Sequence, residues 1–132
     1  MHKVYLKPGK EESLKRFHPW IFSGAIARFD GEPEEGEVVE VYTSKKEFIA
    51  EGHFQIGSIA VRVLSFRQEP IDHDFWKRKL QIAYEMRCGI GIAVNPTNNT
   101  YRLVHGEGDN LPGLVIDIYA RTAVMQAHSA GM

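Results

Sequence analysis

The sequence predicts a mainly β fold with some α, namely a small closed or nearly closed β-barrel followed by an α/β segment. Three observations lead to this prediction. Short segments of alternating apolar and polar residues, separated by glycine turns, fill the chain as far as Phe66. Residues 68–70 (QEP) interrupt the alternation, and the apolar period then lengthens from two residues to about 3.6. We therefore predict one domain over residues 1–70 and a second over residues 71–132.

A proline-containing stretch near the N-terminus joins a short helix to a long strand. Pro19 disfavours helical geometry at the residue before it, so the helix predicted over 10–17 ends there. One strand is predicted from Trp20 to about Arg28, with Trp20 and Phe22 mainly in the core, because alternating aromatic residues at a strand start are more often packed. The remaining strands of this part are predicted at 2–7, 36–43, 47–55 and 58–66, with Gly52 marking a bulge or bend.

The second part begins with a helix predicted from Asp72 to Cys88. Its broad apolar face needs something to pack on, and a second copy of the chain is one candidate. Strands are predicted at 101–105, 114–119 and 122–128. For the turn-rich stretch 106–113 (GEGDNLPG) a tight inter-strand connection is favoured over a loop that contacts RNA or a further domain, since these residues all favour turns.

Charge is unevenly distributed along a chain whose net charge is −1. Residues 1–28 hold six Lys/Arg against two Glu, whereas residues 29–51 hold eight acidic residues against two Lys. In the predicted helix, Leu14 and Phe17 share the apolar face, and Lys10, Lys15 and Arg16 lie largely off it. This basic segment is either a solvated surface or a local patch that faces phosphates.

Composition and spacing exclude several kinds of protein. No apolar run approaches the roughly 20 residues of a membrane helix, and the N-terminus lacks a secretion-signal pattern. A single cysteine, Cys88, fits a reducing compartment, so we expect a cytoplasmic protein. The histidines never occur at metal-ligand spacing, and no glycine motif completes a dinucleotide or phosphate-binding fingerprint. We therefore predict no catalytic, cofactor-binding or metal-binding residue in this chain.

Two stretches are more specific: residues 18–24 (HPWIFSG), which follow the short helix, and residues 101–117 (YRLVHGEGDNLPGLVID). Their order, with barrel-like strands and a helix between them, resembles the N-terminal half of the S-adenosylmethionine-dependent ribosomal RNA cytosine-5 methyltransferases of the large-subunit methyltransferase I type.

The resemblance implies a PUA-like RNA-binding barrel at 1–70 and an incomplete central α/β domain, of strand-strand-helix-strand-strand type, at 71–132. The catalytic Rossmann-like domain would be absent. That domain would bind S-adenosylmethionine and carry the cysteine that attacks C6 of a 23S ribosomal RNA cytosine before methyl transfer to C5; Cys88 does not match it. We therefore expect a truncated product or an N-terminal fragment. Its expected partners are structured RNA, the missing methyltransferase domain and a second copy in a homodimer.

The side chains expected to contact RNA are basic residues that neutralise phosphates and one histidine that donates a hydrogen bond, with an aromatic edge nearby for stacking. The alternative is a non-catalytic structural or protein-interaction module without intrinsic RNA affinity, in which the basic helix is merely solvated. The predicted RNA-binding residues are Lys7, Lys10, Lys15, Arg16, His18 and Arg28.

Overall fold

The computed structural model describes all 132 residues, which fold into two compact units. The first unit comprises Met1–Glu69 together with Ser129–Gly131, and the second comprises Pro70–His128 with Met132. Each unit has a buried apolar cluster of its own. None of the helices combines the length and the apolar character that crossing a bilayer requires.

The first unit is a six-stranded sheet with one turn of α-helix, α1 (Glu12–Lys15). Its strands are β1 (Lys3–Leu6), β2 (Trp20–Phe22), β3 (Ile26–Asp30), β4 (Val38–Tyr42), β5 (Phe48–Phe54) and β6 (Ile59–Ser65). They lie in the order β2-β6-β5-β4-β1-β3, with β1 and β4 parallel and all other neighbours antiparallel.

A single core forms on one face of this sheet. The two end strands both contribute to it, β2 through Ile21 and β3 through the partly buried Ile26, so the sheet curls around one shared interior. Leu14 of α1 is 2% exposed and closes the cluster. The predicted mainly β, barrel-like fold is confirmed. The other buried members are Val4, Leu6, Val39, Val41, Ala50, Val61 and Val63.

The strand predicted from Trp20 to Arg28 is wrong as a single element. It stops at Phe22, passes through a 3₁₀ turn at Ser23–Ala25 and resumes as β3. The physical reason is pairing: β2 bonds to β6 at one end of the sheet, and β3 bonds to β1 at the other. Hydrogen bonds fix the turn at both ends, because the Ser23 amide donates to the Ser58 carbonyl (2.8 Å) and the Lys7 amide donates to the Ala25 carbonyl (2.9 Å).

The helix predicted over 10–17 is shorter than expected, and Phe17 is not on its buried face. Phe17 adopts a left-handed backbone (φ 61°), which ends the helix and leaves its side chain 70% exposed. The Phe17 amide donates to the Leu14 carbonyl (2.9 Å), and the His18 amide donates to the Ser13 carbonyl (3.0 Å). These bonds satisfy helix-end carbonyls, and the Phe17 ring instead meets the edge of Phe66 at 5.2 Å.

The bulge predicted at Gly52 is confirmed, because the pairing of β5 with β6 shifts register between Glu51 and Gly52. A Cβ atom at this position would lie 2.2 Å from the Arg62 carbonyl oxygen. Only glycine therefore allows the two backbones to approach this closely.

The second unit is a long helix followed by three antiparallel strands. These are α2 (His73–Gly89), β7 (Thr100–His105), β8 (Leu114–Tyr119) and β9 (Thr122–Ala127), with sheet order β7-β8-β9. Asp72 caps α2, since its carboxylate accepts a hydrogen bond from the Phe75 amide at 3.0 Å. The buried cluster comprises Ala83, Val104, Leu111 and Ile116.

The turn-rich stretch 106–113 folds into a compact connection around Asp109. After a 3₁₀ turn at Gly106–Asp109, Asn110 takes a left-handed backbone (φ 57°). The Asp109 carboxylate accepts two hydrogen bonds from the Arg87 guanidinium, at 3.0 and 2.7 Å, and one from the His105 amide at 2.6 Å. The Arg87 and Asp109 side chains are only 12% and 3% exposed. This geometry fits the inter-strand connection that the turn-forming residues favoured.

Replacing Asp109 with alanine should cost the second unit about 3 kcal/mol of unfolding free energy, because the Arg87 charge would stay buried without its partner. Urea titration followed by NMR, with β7 and β8 amides as reporters, measures this cost. The matched control is Asp117→Ala, which breaks the more exposed pair with Arg102 and should cost much less. Equal costs in the two variants would contradict the structural role given to Asp109.

Candidate nucleic-acid interface

A cavity of about 350 Å³ lies between α1 and the β2 strand with its following 3₁₀ turn. Leu14 and Ile21, which are 2% and 3% exposed, supply buried apolar surface. Phe22 is 49% exposed and presents an aromatic ring. Lys10 and Ser13 are the polar side chains of the lining, to which Trp20 also contributes. The volume falls within the range of small-molecule sites. The lining also includes Gly24 and Ala25.

The residues after α1 form an aromatic cluster beside this cavity. Ring centroids lie 6.1 Å apart for His18 and Trp20, 6.3 Å for His18 and Phe22, and 6.4 Å for Trp20 and Phe22. His18 Nδ1 is 3.2 Å from both the amide nitrogen and the carbonyl oxygen of Trp20. Nδ1 accepts from the amide when it carries no proton and donates to the carbonyl when it carries one, so either tautomer holds His18 against Trp20.

Basic side chains are found at the same end of the unit. The Lys10 amide donates to the Lys7 carbonyl (3.1 Å), so both lysines belong to the turn that leads into α1. Lys15 and Arg16 are exposed at the other end of the helix, and Lys15 lies 4.0 Å from Glu12, a contact that contributes little at such exposure. Residues 7–18 hold four Lys/Arg against two Glu, so the segment is positively charged.

Arg28 lies outside this segment, on β3, and its guanidinium stacks over the Tyr5 ring at 3.9 Å. The other five predicted residues, Lys7, Lys10, Lys15, Arg16 and His18, lie in the 7–18 segment that contains α1.

The expectation that Phe22 is mainly in the core is wrong, and Trp20 is only half-buried. The alternation of side chains placed Phe22 on the inner face because the strand was predicted to continue to about Arg28. Because the strand ends at Phe22, the ring is free to face the cavity. Ser13 was also missed, since a serine in a short helix gives no signal in sequence. The break itself has only a weak signal in Ser23-Gly24, a turn-forming pair.

Residues 4–66 match a family model described as a PUA-like domain. This part of the chain is a PUA-like domain. The relatives include ribosomal RNA large subunit methyltransferase I of Aeromonas hydrophila, 45% identical over 130 residues, and that of Erwinia tasmaniensis, 40% identical over 131 residues. The match takes in 97% and 98% of this chain but 32% and 33% of those proteins.

The predicted resemblance is thus confirmed over nearly the whole chain, which spans about a third of the length of these relatives rather than half. Among solved structures, a chain from Streptococcus mutans assigned as a SAM-dependent methyltransferase has a TM-score of 0.81 at 18% identity and covers 99% of this chain and 34% of that one. A second, assigned as a methyltransferase and complexed with SAH, has the same TM-score and identity, covering 99% of this chain and 33% of that one. At this identity the likeness shows a shared fold.

The cavity of the PUA-like domain is lined mainly by apolar and aromatic side chains, with Lys10 and Ser13 as polar members. An apolar floor with an aromatic wall suits a flat ring, and Lys10 at the same site suits an adjacent anion. A nucleobase with its phosphate supplies both the flat ring and the adjacent anion.

A buried carboxyl group, Glu51, lies on the outer face of the PUA-like domain. It is 1% exposed, and its Oε1 accepts a hydrogen bond from the Glu69 amide at 3.2 Å. Burial raises the pKa of Glu51 from its usual 4.5, and the nearby Glu40 and Glu69 carboxylates raise it further. Glu51 therefore binds a proton more tightly in the folded than in the unfolded chain.

This raised pKa predicts that stability declines as pH rises from about 4.5 through the folded pKa of Glu51, because the buried group must then ionise. Glu51→Gln should match the wild type in melting temperature at pH 4 and exceed it at pH 7. Calorimetry at the two pH values measures the difference. The control is Glu47→Gln, an exposed position next to β5. A Glu51→Gln variant that is less stable than wild type at pH 7 would contradict the argument.

Proposed function

We propose that the PUA-like domain binds structured RNA at the α1–β2 cavity, on behalf of an S-adenosylmethionine-dependent methyltransferase that modifies C5 of a cytosine in 23S ribosomal RNA. The observation that carries this proposal is an aromatic cavity with a basic rim, located in a PUA-like domain. The names of the relatives supply the expected RNA class.

The physical basis has two parts. Lys7, Lys10, Lys15 and Arg16 would neutralise phosphates, and this contribution to affinity is lost as salt displaces the contacts. Trp20 and Phe22 would hold an unpaired base by stacking, which depends less on salt concentration than the phosphate contacts do. His18, fixed against Trp20, would donate a hydrogen bond from its ring.

The methyl transfer itself is assigned to residues outside 1–132. In the proposed reaction a cysteine thiolate attacks C6 of the cytosine. S-Adenosylmethionine would supply the methyl group. The residues present do not fit that cofactor, because they form no strand, glycine-rich loop and helix unit of the kind that binds it. Cys88 is exposed near the end of α2 and is not proposed as the nucleophile. A cytoplasmic location follows from the ribosomal target.

A second candidate function, a protein-interaction module, is favoured by exposed apolar residues in the second unit. Ile82, Met86 and Ile90 on or after α2 are 55%, 51% and 63% exposed, and Met125 on β9 is 70% exposed. Such surface needs a partner. A homodimer is the simplest form of this candidate. It predicts that the average molecular mass in solution rises with protein concentration and does not change when RNA is added.

Anisotropy titration of the chain with a labelled 23S ribosomal RNA hairpin, across a series from low to high salt, tests the RNA proposal. The logarithm of affinity should fall linearly with the logarithm of salt concentration. Lys10→Ala should reduce the slope by about one phosphate contact, and Lys15→Ala/Arg16→Ala by about two.

Phe22→Ala should instead lower affinity by about tenfold at every salt concentration without changing the slope, because stacking releases no counterions. The matched charge control is Arg121→Ala, an exposed arginine of the second unit. Absence of binding at the lowest salt concentration, or an equal loss in the Arg121→Ala variant, would overturn the proposal.

A further inference from the structure

Phe17 has a backbone conformation that is unusual for a large side chain. It lies directly after the C-cap of α1, where its amide donates to the Leu14 carbonyl (2.9 Å) and the His18 amide donates to the Ser13 carbonyl (3.0 Å). These two bonds form a Schellman ending, in which the residue at this position is left-handed and is most often glycine. Phe17 adopts that conformation (φ 61°) against the steric strain that a Cβ atom brings. Glycine would therefore end the helix with less strain.

The Phe17 ring contributes little to the core of the PUA-like domain. Phe17 is 70% exposed, and its ring meets that of Phe66 at a centroid distance of 5.2 Å and an interplanar angle of 88°. Two perpendicular rings touch edge to face, so this contact occupies at most one face of the Phe17 ring. The high exposure leaves the other face open to solvent, where it can stack on a flat ligand.

The chain around Phe17 is positively charged. Lys15 and Arg16 directly precede it and are exposed, and residues 13–29 include no Asp or Glu. The carboxylate that contacts these cations is that of Glu12, 4.0 Å from Lys15 Nζ. Both side chains of this pair are more than half exposed, at 59% for Lys15 and 64% for Glu12, so the pair is weak and leaves Lys15 available to an anion.

Phe17 lies some distance from the aromatic ring that ends β2. Trp20 pairs with Arg62 on β6, whereas Phe17 contacts Phe66, which follows four residues later in the chain. At about 3.3 Å per residue, this separation corresponds to roughly 13 Å. Because bases along one strand are only about 3.4 Å apart when stacked, Phe17 and the α1–β2 cavity would contact different nucleotides of one RNA.

These observations indicate what the Phe17 ring binds. An open aromatic face suits an unpaired base, and exposed cations next to it suit the phosphates on either side of that base. An apolar protein surface would complement the ring but not Lys15 and Arg16, and an acidic peptide would complement the two cations but not the ring. A single-stranded nucleotide segment complements both.

We propose that Phe17 is a second base-stacking residue, which holds an unpaired nucleotide near the one that occupies the α1–β2 cavity. This inference rests on the proposed function and adds a contact to it. The left-handed backbone places the ring in solvent directly beside Lys15 and Arg16, instead of on the buried face of α1.

The test removes one base at a time from the unpaired nucleotides of a 23S ribosomal RNA hairpin and measures affinity by anisotropy. For wild-type chain, loss of the base that Phe17 holds should lower affinity by about tenfold. Phe17→Leu keeps apolar bulk but removes the stacking plane. It should lower affinity for the intact RNA by the same factor at every salt concentration and lose nothing more when that base is removed. Phe17→Tyr restores the ring and should recover most of the lost affinity.

Phe17→Gly separates binding from folding. Glycine relieves the left-handed strain, which offsets the lost contact with Phe66, so the melting temperature should not fall. The affinity for RNA should nevertheless fall about as far as in Phe17→Leu. The matched control is Ile56→Ala, because Ile56 is 73% exposed in the same unit and should leave affinity unchanged. A lower melting temperature with unchanged affinity would make Phe17 a packing residue and overturn the proposal.

The same base-removal series in Phe22→Ala distinguishes this contact from the cavity. If one nucleotide depends on Phe17 and none depends on Phe22, the cavity proposal fails and the Phe17 contact stands. If a nucleotide depends on Phe22 alone, the cavity stands and Phe17 does not hold RNA. Wild-type affinity in Phe17→Leu, an equal loss in Ile56→Ala, or absence of RNA binding at the lowest salt concentration would each overturn the Phe17 proposal.

Discussion

The structure of the first unit depends on one break in a β-strand, the 3₁₀ turn at Ser23–Ala25. It separates two strands that would otherwise be one and sends them to opposite ends of the sheet order. Hydrogen bonds from the Ser23 amide to Ser58 and from the Lys7 amide to Ala25 hold the turn against both β6 and the end of β1. Because both end strands then pack on one core, the sheet curls. A cavity remains between α1, β2 and the turn that follows β2.

This turn also explains why the candidate site is accessible. Pro19 directly precedes β2 and Phe22 ends it, so Phe22 sits where pairing stops and its ring is half-exposed. The same short segment carries His18, which is held against the Trp20 backbone, and follows a helix beside which Lys10 lines the cavity. Aromatic surface and positive charge meet here because a few adjacent residues serve both the fold and the site.

Local sequence signals predicted the parts of the molecule that depend on local physics. Pro19, the change of period after 68–70 and the turn residues at 106–113 each act within a few positions, and the elements they indicated are present. The break at Ser23 depends on pairing between strands that are distant in sequence, because β2 bonds to β6 and β3 bonds to β1. No periodicity within one segment reports which strand becomes its neighbour, so the single strand predicted from Trp20 to Arg28 could not be divided in advance.

The central claim is that RNA binds the first unit at the α1–β2 cavity. Chemical-shift mapping with isotope-labelled chain and a 23S ribosomal RNA hairpin tests this claim most directly. The account predicts that the largest amide shifts fall between Lys10 and Ala25, with the Trp20 indole signal among them. Shifts confined to α2 and β7–β9 would contradict it, because the second unit would then hold the RNA.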